Sequence, residues 1–389
     1  MNIENNISAS SGLPELVNYD LVCLSHLRWD FVYQRPQHLM SRFAKERRVF
    51  FVEEPIFTDE QTYLKISPRE DNLVIVVPHI SHVERETKNI EDAQGELLDE
   101  LFREQQIKDF VLWFYTPMAM GSAEHLKPKA VVYDCMDELS AFKFAPPALL
   151  ENESKLFRKA DLVFTGGQSL YEAKKDKHKS VHAFPSSIDA AHFKQARNIT
   201  AEPADQNQIP HPRLGYCGVI DERVDINLVA EIADLRPEWQ LIMIGPVVKI
   251  SDEDLPRRAN IHYLGGKDYQ ELPAYMAGWD IALMPFALND STKFISPTKT
   301  PEYLAAGKPV VSTAIRDVVR PYGEMDLVYI ASTPEEFVAA CDKALSEDKT
   351  GELKRVDEFL ALNSWDKTWA KMSVLISEVV KKGTKIAMV

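Results

Sequence analysis

The segment 295–311 combines a helix start with residues that can bind a charged ligand. Ser296 and Pro297 predict a helix N-terminus, because a hydroxyl can cap the first turn and proline has the backbone angle of the first helical position. Thr300 also precedes a proline, which allows a start one turn later. Gly307 predicts the helix end, since glycine readily adopts the left-handed conformation found there. The free N–H groups of such a start favour an anion such as a diphosphate.

Lys299 and Glu302 give this segment its chemistry. They are three residues apart and share one helical face, next to Thr298 at the start. A cation beside a helix N-terminus is unfavourable unless an anion is bound there as well. The carboxylate oxygens of Glu302 can accept hydrogen bonds from a vicinal diol such as a ribose. The alternative, from the residues alone, is an ion pair on the surface of an ordinary helix.

The composition is that of a globular protein with no nucleic-acid role. The chain has 389 residues, 45% hydrophobic and 27% charged, which predicts two domains. A formal net charge of −14 argues against nucleic acid as a partner, because phosphate neutralisation needs a dense basic face. The cysteines lack metal-ligand spacing, so we expect buried thiols and no metal. No signal peptide or membrane-length apolar run is evident, which favours the cytoplasm.

In the first half of the chain, short apolar runs alternate with helical patterns, which is typical of a parallel sheet covered on both faces. Strands are predicted at Leu21–Ser25, Val49–Glu53, Leu73–Val77, Phe110–Tyr115, Ala130–Tyr133 and Leu162–Thr165. Helices are predicted at Gln37–Lys45, Glu96–Gln106, Ala148–Lys159 and Ser169–Lys175. Residues 1–197 are therefore expected to form one doubly wound domain, followed by a polar, proline-containing linker at 198–212.

A second series of the same kind predicts another doubly wound α/β domain at residues 213–363. Its strands are predicted at Leu214–Cys217, Leu241–Ile244, Ile261–Leu264, Ile281–Pro285, Pro309–Thr313 and Leu327–Ile330. Its helices are predicted at Asp225–Leu235, Tyr269–Ala277, Thr298–Ala306 and Pro334–Leu345. Ligands of such sheets lie beyond the strand carboxyl ends, so two tandem Rossmann-like domains predict a cleft between them.

The last segment, residues 364–389, has helical periodicity. Trp365, Trp369, Met372 and Ile376 fall on one face. This helix either caps its own domain or crosses back to the first domain, and we favour the crossing.

The stretch 296–311 resembles the donor-binding helix of family 4 glycosyltransferases, where a glutamate holds the donor ribose. Glu302 matches that glutamate, and the resemblance implies the GT-B fold. The family has another glutamate eight residues earlier, where this chain has Phe294. Asn289, Thr292 and Lys293 lie on the same loop and could replace it. The alternative is that they only solvate the loop.

Other loops of the second half carry the same resemblance. Residues 215–225 resemble the first donor loop of the family, in which a basic residue, here Arg223, pairs with the donor phosphates. Residues 245–246 resemble the next donor loop, residues 263–264 the one near the base, and residues 184–189 the hinge between domains. The expected donor-binding residues are Gly218, Arg223, Gly245, Pro246, Tyr263, Leu264, Asn289, Thr292, Ser296, Thr298, Lys299 and Glu302.

In the first half, polar residues follow the first and the fifth predicted strands. Segments 25–38 and 133–138 resemble a bacterial glycosyltransferase subgroup associated with cell-surface polysaccharides, which makes His26 and Asp137 cleft candidates. His26 could equally be a satisfied loop histidine, and Asp134 could cap a helix or touch substrate. The basic run 174–179 is interpreted as a solvated helix end, although it could approach an anionic lipid surface.

The resemblance implies transfer of a hexosyl group from a nucleoside-diphosphate sugar to a saccharide or lipid-linked acceptor, with retention of configuration. We expect no metal and no other cofactor, because no Asp-X-Asp stands at a strand end. Arg223 and Lys299 would stabilise the leaving diphosphate. An inverting enzyme would instead need a base, for which Asp137 and His26 are the candidates. We expect a cytoplasmic enzyme of surface polysaccharide synthesis, with at most peripheral contact to the inner membrane face.

Two other classes of function fit the same fold. A sugar-nucleotide epimerase needs acid and base groups around the donor sugar, and a phosphorylase needs a lysine for its cofactor. Neither constellation is evident. The other alternative is a non-catalytic donor-binding scaffold, which only Phe294 supports. Donor turnover distinguishes the enzyme from the scaffold.

Overall fold

The computed structural model describes residues 18–347 and 351–386. The first domain is a sheet whose strands run β1 (Asp20–Ser25), β2 (Val49–Glu53), β3 (Ile56–Thr58), β4 (Tyr63–Pro68), β5 (Leu73–Ser81), β6 (Phe110–Phe114), β7 (Ala130–Cys135), β8 (Leu162–Thr165) and β9 (Val181–Ala183). The strand order is β3-β5-β2-β1-β6-β7-β8-β9, with β4 paired antiparallel to β5 and the other pairs parallel. Its helices are α1 (Arg35–Ala44), α2 (His82–Thr87), α3 (Ile90–Glu104), α4 (Met120–Ala123), α5 (Leu149–Lys159) and α6 (Gln168–Lys174). The short helix α7 (Ala190–Lys194) follows and packs with Phe193 in the core of the second domain.

The second domain is a parallel sheet with the order β12-β11-β10-β13-β14-β15. Its strands are β10 (Arg213–Cys217), β11 (Gln240–Ile244), β12 (Ile261–Gly265), β13 (Ile281–Met284), β14 (Val310–Ser312) and β15 (Tyr329–Ile330). Its helices are α8 (Ile226–Leu235), α9 (Leu272–Ala277), α10 (Lys299–Ala305), α11 (Arg316–Val318), α12 (Pro334–Ser346) and α13 (Glu352–Leu360), and the chain ends in α14 (Trp365–Ile386). The predicted α/β fold class is confirmed.

The predicted strands correspond to the central strands of the first sheet and to all six strands of the second, including its edge strands β12 and β15. Strands such as β2 and β6 are buried along their whole length, because helices cover both faces of the sheet. The sequence patterns missed β3, β4 and β9, which lie away from the sheet centre, and have exposed or half-buried residues. A short, half-buried strand has no continuous apolar run to mark it.

Helix α14 packs against the first domain. Met372, Ile376 and Val380 are buried in one cluster with Leu39 of α1 and Trp113 of β6. At its start, the ring of Trp365 stacks on that of His38 with the ring centroids 4.6 Å apart. The helix therefore returns from the second domain to the core of the first.

The segment 198–212 is packed on the second domain. The Gln206 side chain is fully buried, donates to the carbonyl oxygen of Tyr275 at 2.9 Å and accepts from the Trp279 indole at 3.0 Å. Asp205 accepts from Lys267 at 2.6 Å. These side-chain hydrogen bonds hold a segment that has almost no apolar periodicity.

Candidate active site

The carboxyl ends of both sheets meet at two cavities between the domains. The larger, of about 570 Å³, is lined by residues 29–33 after β1 and by the loops after β10, β11 and β12. The smaller, of about 110 Å³, is lined from the first domain by Arg35, Asp137 and Ser186, and from the second by Arg223 and residues 295–299. Parallel sheets bind ligands at this edge, so the cleft is the candidate site.

Gly218 and Gly245 allow the loops after β10 and β11 to pack closely. Both have positive φ angles, +155° and +145°, which a residue with a side chain rarely adopts. A side chain at residue 218 would overlap the ammonium group of Lys299, and one at residue 245 would overlap the carbonyl oxygen of Gly218. Gly218, Gly245 and Pro246 all line the larger cavity, as the sequence predicted.

Lys299 and Glu302 lie close enough on helix α10 for their charges to interact, but Glu302 is not among the described residues that line either interdomain cavity. Lys299 lines the smaller cavity, and its ammonium lies 5.6 Å from the ring centroid of Tyr216. Burial lowers the pKa of Lys299, and the nearby Arg223 charge lowers it further, while Glu302 opposes both. Burial raises the pKa of Tyr269, which lines the larger cavity, and the charge of Glu302 raises it further.

Burial raises the pKa of Glu302 to about 7, although the Lys299 charge and a hydrogen bond from Thr298 oppose the shift. The carboxylate is half-buried and has few protein partners that favour its ionised form. Near neutral pH it can therefore exist in either state. Hydroxyl groups of a bound ligand would favour the charged form.

Helix α10 begins at Lys299, so the predicted start at Ser296 and Pro297 is wrong by two residues. The reason is a contact between domains: the Ser296 hydroxyl accepts from the N–H of Ser186 at 3.3 Å, and the Ser186 hydroxyl donates to the carbonyl oxygen of Ser296. Thr298 is the N-cap residue. Ser296 and Thr298 nevertheless line the smaller cavity. The predicted helix end is confirmed, since Gly307 has a φ of +79°.

Arg223 is held by a carboxylate that the sequence analysis did not single out. Its Nε and Nη2 donate to Asp221 at 2.9 and 2.7 Å, and Asp221 is only 3% exposed. Burial opposes the charged guanidinium, but the hydrogen bonds and charge of Asp221 raise the pKa of Arg223. The guanidinium also lies 5.4 Å from the ring centroid of Phe142 in the first domain. Arg223 reaches the cleft with part of its charge neutralised.

Asp137 faces Arg223 across the smaller cavity. Burial raises the pKa of Asp137 to about 6, and the charges of Arg223 and Arg35 oppose the shift. The neighbouring Asp134 neither caps a helix nor reaches the cavity, which corrects both readings of it. Asp134 is fully buried and accepts hydrogen bonds from the Arg35 guanidinium at 2.8 and 3.0 Å. This pair links β7 to the start of α1.

His26 lies at the end of β1 but is absent from the lining of both interdomain cavities. Burial and the charge of Lys249 lower its pKa to about 4, so the ring is neutral at pH 7. Within the described chain, its Nδ1 has no hydrogen-bond partner.

Lys249, which sequence reasoning missed, has a φ of +64°, and its ammonium group lies 3.8 Å from the Glu222 carboxylate and 4.9 Å from the Phe142 ring centroid. Its only sequence signal is its position after the Gly245 loop.

Four predicted donor residues have side chains directed elsewhere. Asn289 accepts from the N–H groups of Ser291 and Thr292, and the hydroxyl of Thr292 donates to Ala287, so both build their own loop. The Tyr263 hydroxyl donates to Pro256 at 3.2 Å, and Leu264 packs in the core of the second domain. The loop after β12 enters the cleft further along the chain, at residues 266–269. The sequence analysis expected these four residues to contact the donor, whereas in the structure their side chains make contacts within the second domain.

Lys174, the first residue of the basic run 174–179, is buried and not solvated. Its ammonium donates to both oxygens of Glu153 at 2.8 and 2.9 Å and pairs with Glu138 at 2.7 Å. The hydroxyl of Tyr133 also donates to Glu153, at 3.0 Å. Because Glu138 follows Asp137 directly, this network holds the loop that carries Asp137.

In residues 18–347 and 351–386, no three His, Cys, Asp or Glu side chains are grouped so that they could ligate a metal ion. Over the same residues, no helix has the length and hydropathy of a membrane span.

Residues 211–347 match the family model described as glycosyl transferases group 1. The matched residues include all the strands of the second sheet, so this domain is similar to a group 1 glycosyl transferase domain. A Bacillus subtilis (strain 168) protein, TuaH, provisionally named a teichuronic acid biosynthesis glycosyltransferase, is 26% identical over 238 residues. The match covers 56% of this chain, and the chain spans about 59% of the length of that curated relative.

Two solved structures share the arrangement of both domains. A sucrose-phosphate synthase from Thermosynechococcus elongatus has a TM-score of 0.69 at 14% identity, over 94% of this chain and 100% of its own. An E. coli structure described as trehalose-6-phosphate bound with UDP-2-fluoro glucose has a TM-score of 0.68 at 12% identity, over 93% and 99%. The fold is GT-B.

Proposed function

We propose that this protein is a glycosyltransferase that moves a hexosyl group from a nucleoside-diphosphate sugar to a saccharide or lipid-linked acceptor. The observation that carries the proposal is the position of Lys299 against Gly218 in the cleft, with Glu302 on the same helix close enough for the two charges to interact. On this one helix, the Lys299 cation suits the diphosphate of a nucleoside diphosphate, and the Glu302 carboxylate suits the hydroxyl groups of its ribose. The group 1 domain at residues 211–347 supports the same activity.

In the proposed complex, Glu302 accepts hydrogen bonds from the donor ribose, and Lys299 pairs with the diphosphate. The N–H of Gly218 already donates to the carbonyl oxygen of Ile244 at 2.8 Å. The missing side chain of Gly218 therefore leaves room for Lys299, whose ammonium group supplies the positive charge for the diphosphate. Asn289 and Thr292 are not assigned to the donor, because their side chains are used within their loop.

Catalysis is proposed to depend on stabilising the nucleoside diphosphate as it leaves. Lys299 and Arg223 supply positive charge in a site shielded from water, where electrostatic interactions are stronger than in bulk solvent. Asp137 lies across the smaller cavity from Arg223, on the acceptor side. Retention of configuration is proposed from the resemblance of 296–311 to family 4, and independence from metal is proposed because no Asp-X-Asp stands at a strand end and Lys299 and Arg223 supply positive charge.

The proposed setting is surface polysaccharide synthesis at the cytoplasmic side of the membrane. Its support is the likeness to the TuaH protein, whose name refers to teichuronic acid biosynthesis. At 26% identity this likeness supports a class of pathway and does not specify a substrate.

The test is a screen of purified protein against nucleotide sugars, by thermal shift and by release of nucleoside diphosphate. UDP-hexoses come first, because the E. coli neighbour is described with UDP-2-fluoro glucose. We expect one donor to raise the melting temperature and to be consumed faster when an acceptor is added. Conversion of the donor sugar without release of diphosphate would indicate an epimerase, and stabilisation without turnover would indicate a scaffold.

A further inference from the structure

A further cavity, of about 540 Å³, lies at the carboxyl edge of the first sheet. Its floor includes Leu24 and Val52 from the ends of β1 and β2, and Phe57 of β3 contributes an aromatic side chain. Helix α3 contributes Glu91 and Gln94. Among the described residues, those that line it all belong to the first domain. The cavity is comparable in volume to the larger interdomain cavity and has no role in the donor site.

The loop from Ser25 to Trp29 forms a wall shared by this cavity and the interdomain cleft. Ser25 lines the first-domain cavity, and Trp29 lines the larger interdomain cavity. Glu53 fixes the loop, because its carboxylate accepts from the Trp29 N–H at 2.8 Å and from the Arg28 guanidinium at 2.9 Å. A ligand in the first-domain cavity would therefore lie next to the donor site.

The lining of the first-domain cavity is negatively charged. It includes Glu54 and Glu91, together with Glu53, whose charge is compensated by Arg28, and no lysine, arginine or histidine among the described lining residues. The nearby Arg28 is committed to Glu53 and to the carbonyl oxygens of Glu54 and Pro55, at 2.6 and 3.4 Å. A ligand with a phosphate or carboxylate would find no free counter-charge here and would be repelled.

The remaining lining suits sugar hydroxyls on an apolar floor. The half-buried Glu91 carboxylate lies against the α-carbon of Gly121, in space that a side chain there would fill. The amide of Gln94 adds hydrogen-bond donors and an acceptor. Carboxylate and amide groups bind hydroxyls, and apolar side chains such as Phe57 and Leu24 pack against the C–H faces of a sugar ring.

We propose that this cavity binds the acceptor and selects an uncharged saccharide over one that carries a phosphate or a carboxylate. The inference rests on the proposed function, because only a glycosyltransferase has an acceptor. In the transfer, an acceptor hydroxyl oxygen bonds to the anomeric carbon as the bond from that carbon to the diphosphate oxygen breaks. The hydroxyl proton passes to the departing diphosphate.

The test compares two probes that differ in one group: p-nitrophenyl β-D-glucoside and p-nitrophenyl β-D-glucuronide. Their affinities for the full chain are measured by calorimetry, with the nucleoside diphosphate chosen by the donor screen present at saturation. We expect the glucoside to bind at least tenfold more tightly than the glucuronide. Glu91→Lys, and separately Glu54→Lys on the exposed rim, should reduce that ratio at least tenfold.

The matched control is Glu96→Lys, which makes the same charge change on α3 outside the lining and should preserve the ratio. Equal or tighter binding of the glucuronide by the wild type would overturn the inference. The inference would also be overturned if Glu96→Lys reduced the affinity ratio as much as Glu91→Lys does, or if the nucleoside diphosphate displaced the glucoside. Donor hydrolysis without acceptor separates the two proposals: donor turnover without probe selectivity refutes only this inference, and selectivity without donor turnover refutes the proposed function and, with it, the assignment of the bound saccharide as an acceptor.

Discussion

The ammonium group of Lys299 lies against the α-carbon of Gly218, in the space that any side chain at residue 218 would fill. Gly218 ends the tight turn after β10, and Lys299 is the first residue of α10. The two are 81 positions apart in the sequence, so only the fold brings them together. This contact determines where positive charge stands in the cleft.

Gly218→Ala should therefore impair donor use. The methyl group would displace Lys299, and alanine would be strained at a φ of +155°. We expect kcat/KM for the donor to fall at least tenfold, equivalent to about 1.4 kcal/mol. The control is Gly351→Ala, where no atom lies within 4 Å of the added methyl group. Wild-type kinetics in Gly218→Ala would show that the contact has no functional role.

Glu302→Gln should weaken donor binding by about 1–3 kcal/mol, because the ribose hydroxyls lose a charged acceptor. The pKa of Glu302 is about 7, so wild-type donor affinity should decline as the pH falls through 7, and the variant should lack this dependence. Calorimetric titrations of the donor between about pH 5.5 and 8.5 measure both effects, because this range brackets the pKa of Glu302. The exposed Glu335→Gln is the control. Unchanged donor affinity in a folded Glu302→Gln protein would refute the ribose role.

The same substitution should stabilise the ligand-free protein at alkaline pH. Folding raises the pKa of the Glu302 carboxyl group, so its protonated form stabilises the folded protein at low pH. This stabilisation is complete below the unfolded pKa and is lost as the pH rises through the folded value of about 7. At pH 8 the wild type therefore retains a desolvated charge that the glutamine lacks. We expect a gain of about 1 kcal/mol, allowing for solvent screening of a half-buried group. Urea unfolding of both proteins at pH 5 and pH 8 tests this prediction. A higher free energy of unfolding for the variant at pH 5 but not at pH 8 would contradict it.

Arg223 and Asp221 allow catalysis and stability to be separated. Arg223→Ala should lower kcat roughly 10²-fold, the effect of losing one preorganised donor, and should also destabilise the fold because Asp221 is left buried without a partner. The double variant Asp221→Ala/Arg223→Ala should recover stability without recovering kcat. Lys299→Ala should lower kcat by a comparable factor. A double variant with normal turnover would place the diphosphate elsewhere.

Lys174→Met should destabilise the first domain by about 3–5 kcal/mol, because it leaves Glu153 buried without its partner. The adjacent Lys175 is exposed, so Lys175→Met should change the free energy of unfolding by less than about 0.5 kcal/mol. Chemical denaturation of the two variants measures the difference. Equal stabilities would show that the buried network does not hold this loop.

Transfer should not need a divalent metal ion. We expect turnover with the selected donor to be the same after treatment with EDTA, because the charge on the leaving diphosphate is assigned to Lys299 and Arg223. Loss of activity with EDTA that manganese or magnesium restores would contradict this expectation.

Much of the architecture could be read from the sequence. The central strands of both sheets are continuous apolar runs, and alternation with helical patterns predicted two parallel α/β domains. The glycines at 218, 245 and 307 were identified because close approach and positive φ leave few other choices. Local chemistry, expressed in residue type and spacing, was sufficient for these features.

The site required long-range contacts that no local pattern encodes. The start of α10 was misplaced because Ser296 bonds to Ser186 in the other domain. Asp134 could not be assigned until its partner Arg35, 99 residues away, was known. A polar side chain near a predicted cleft can bind ligand, cap a helix or build a loop, and its sequence neighbours do not distinguish these roles.

The sequence by itself determined the fold class and the helix that carries Lys299 and Glu302, because hydrophobic periodicity and turn residues act over a few positions. The tertiary structure alone decided that Asp221 holds Arg223, that Tyr263 and Thr292 turn away, and that α14 packs on the first domain. Those outcomes depend on which buried polar groups find partners after the sheets have packed. The free energy of leaving such a group unpaired is a property of the whole fold.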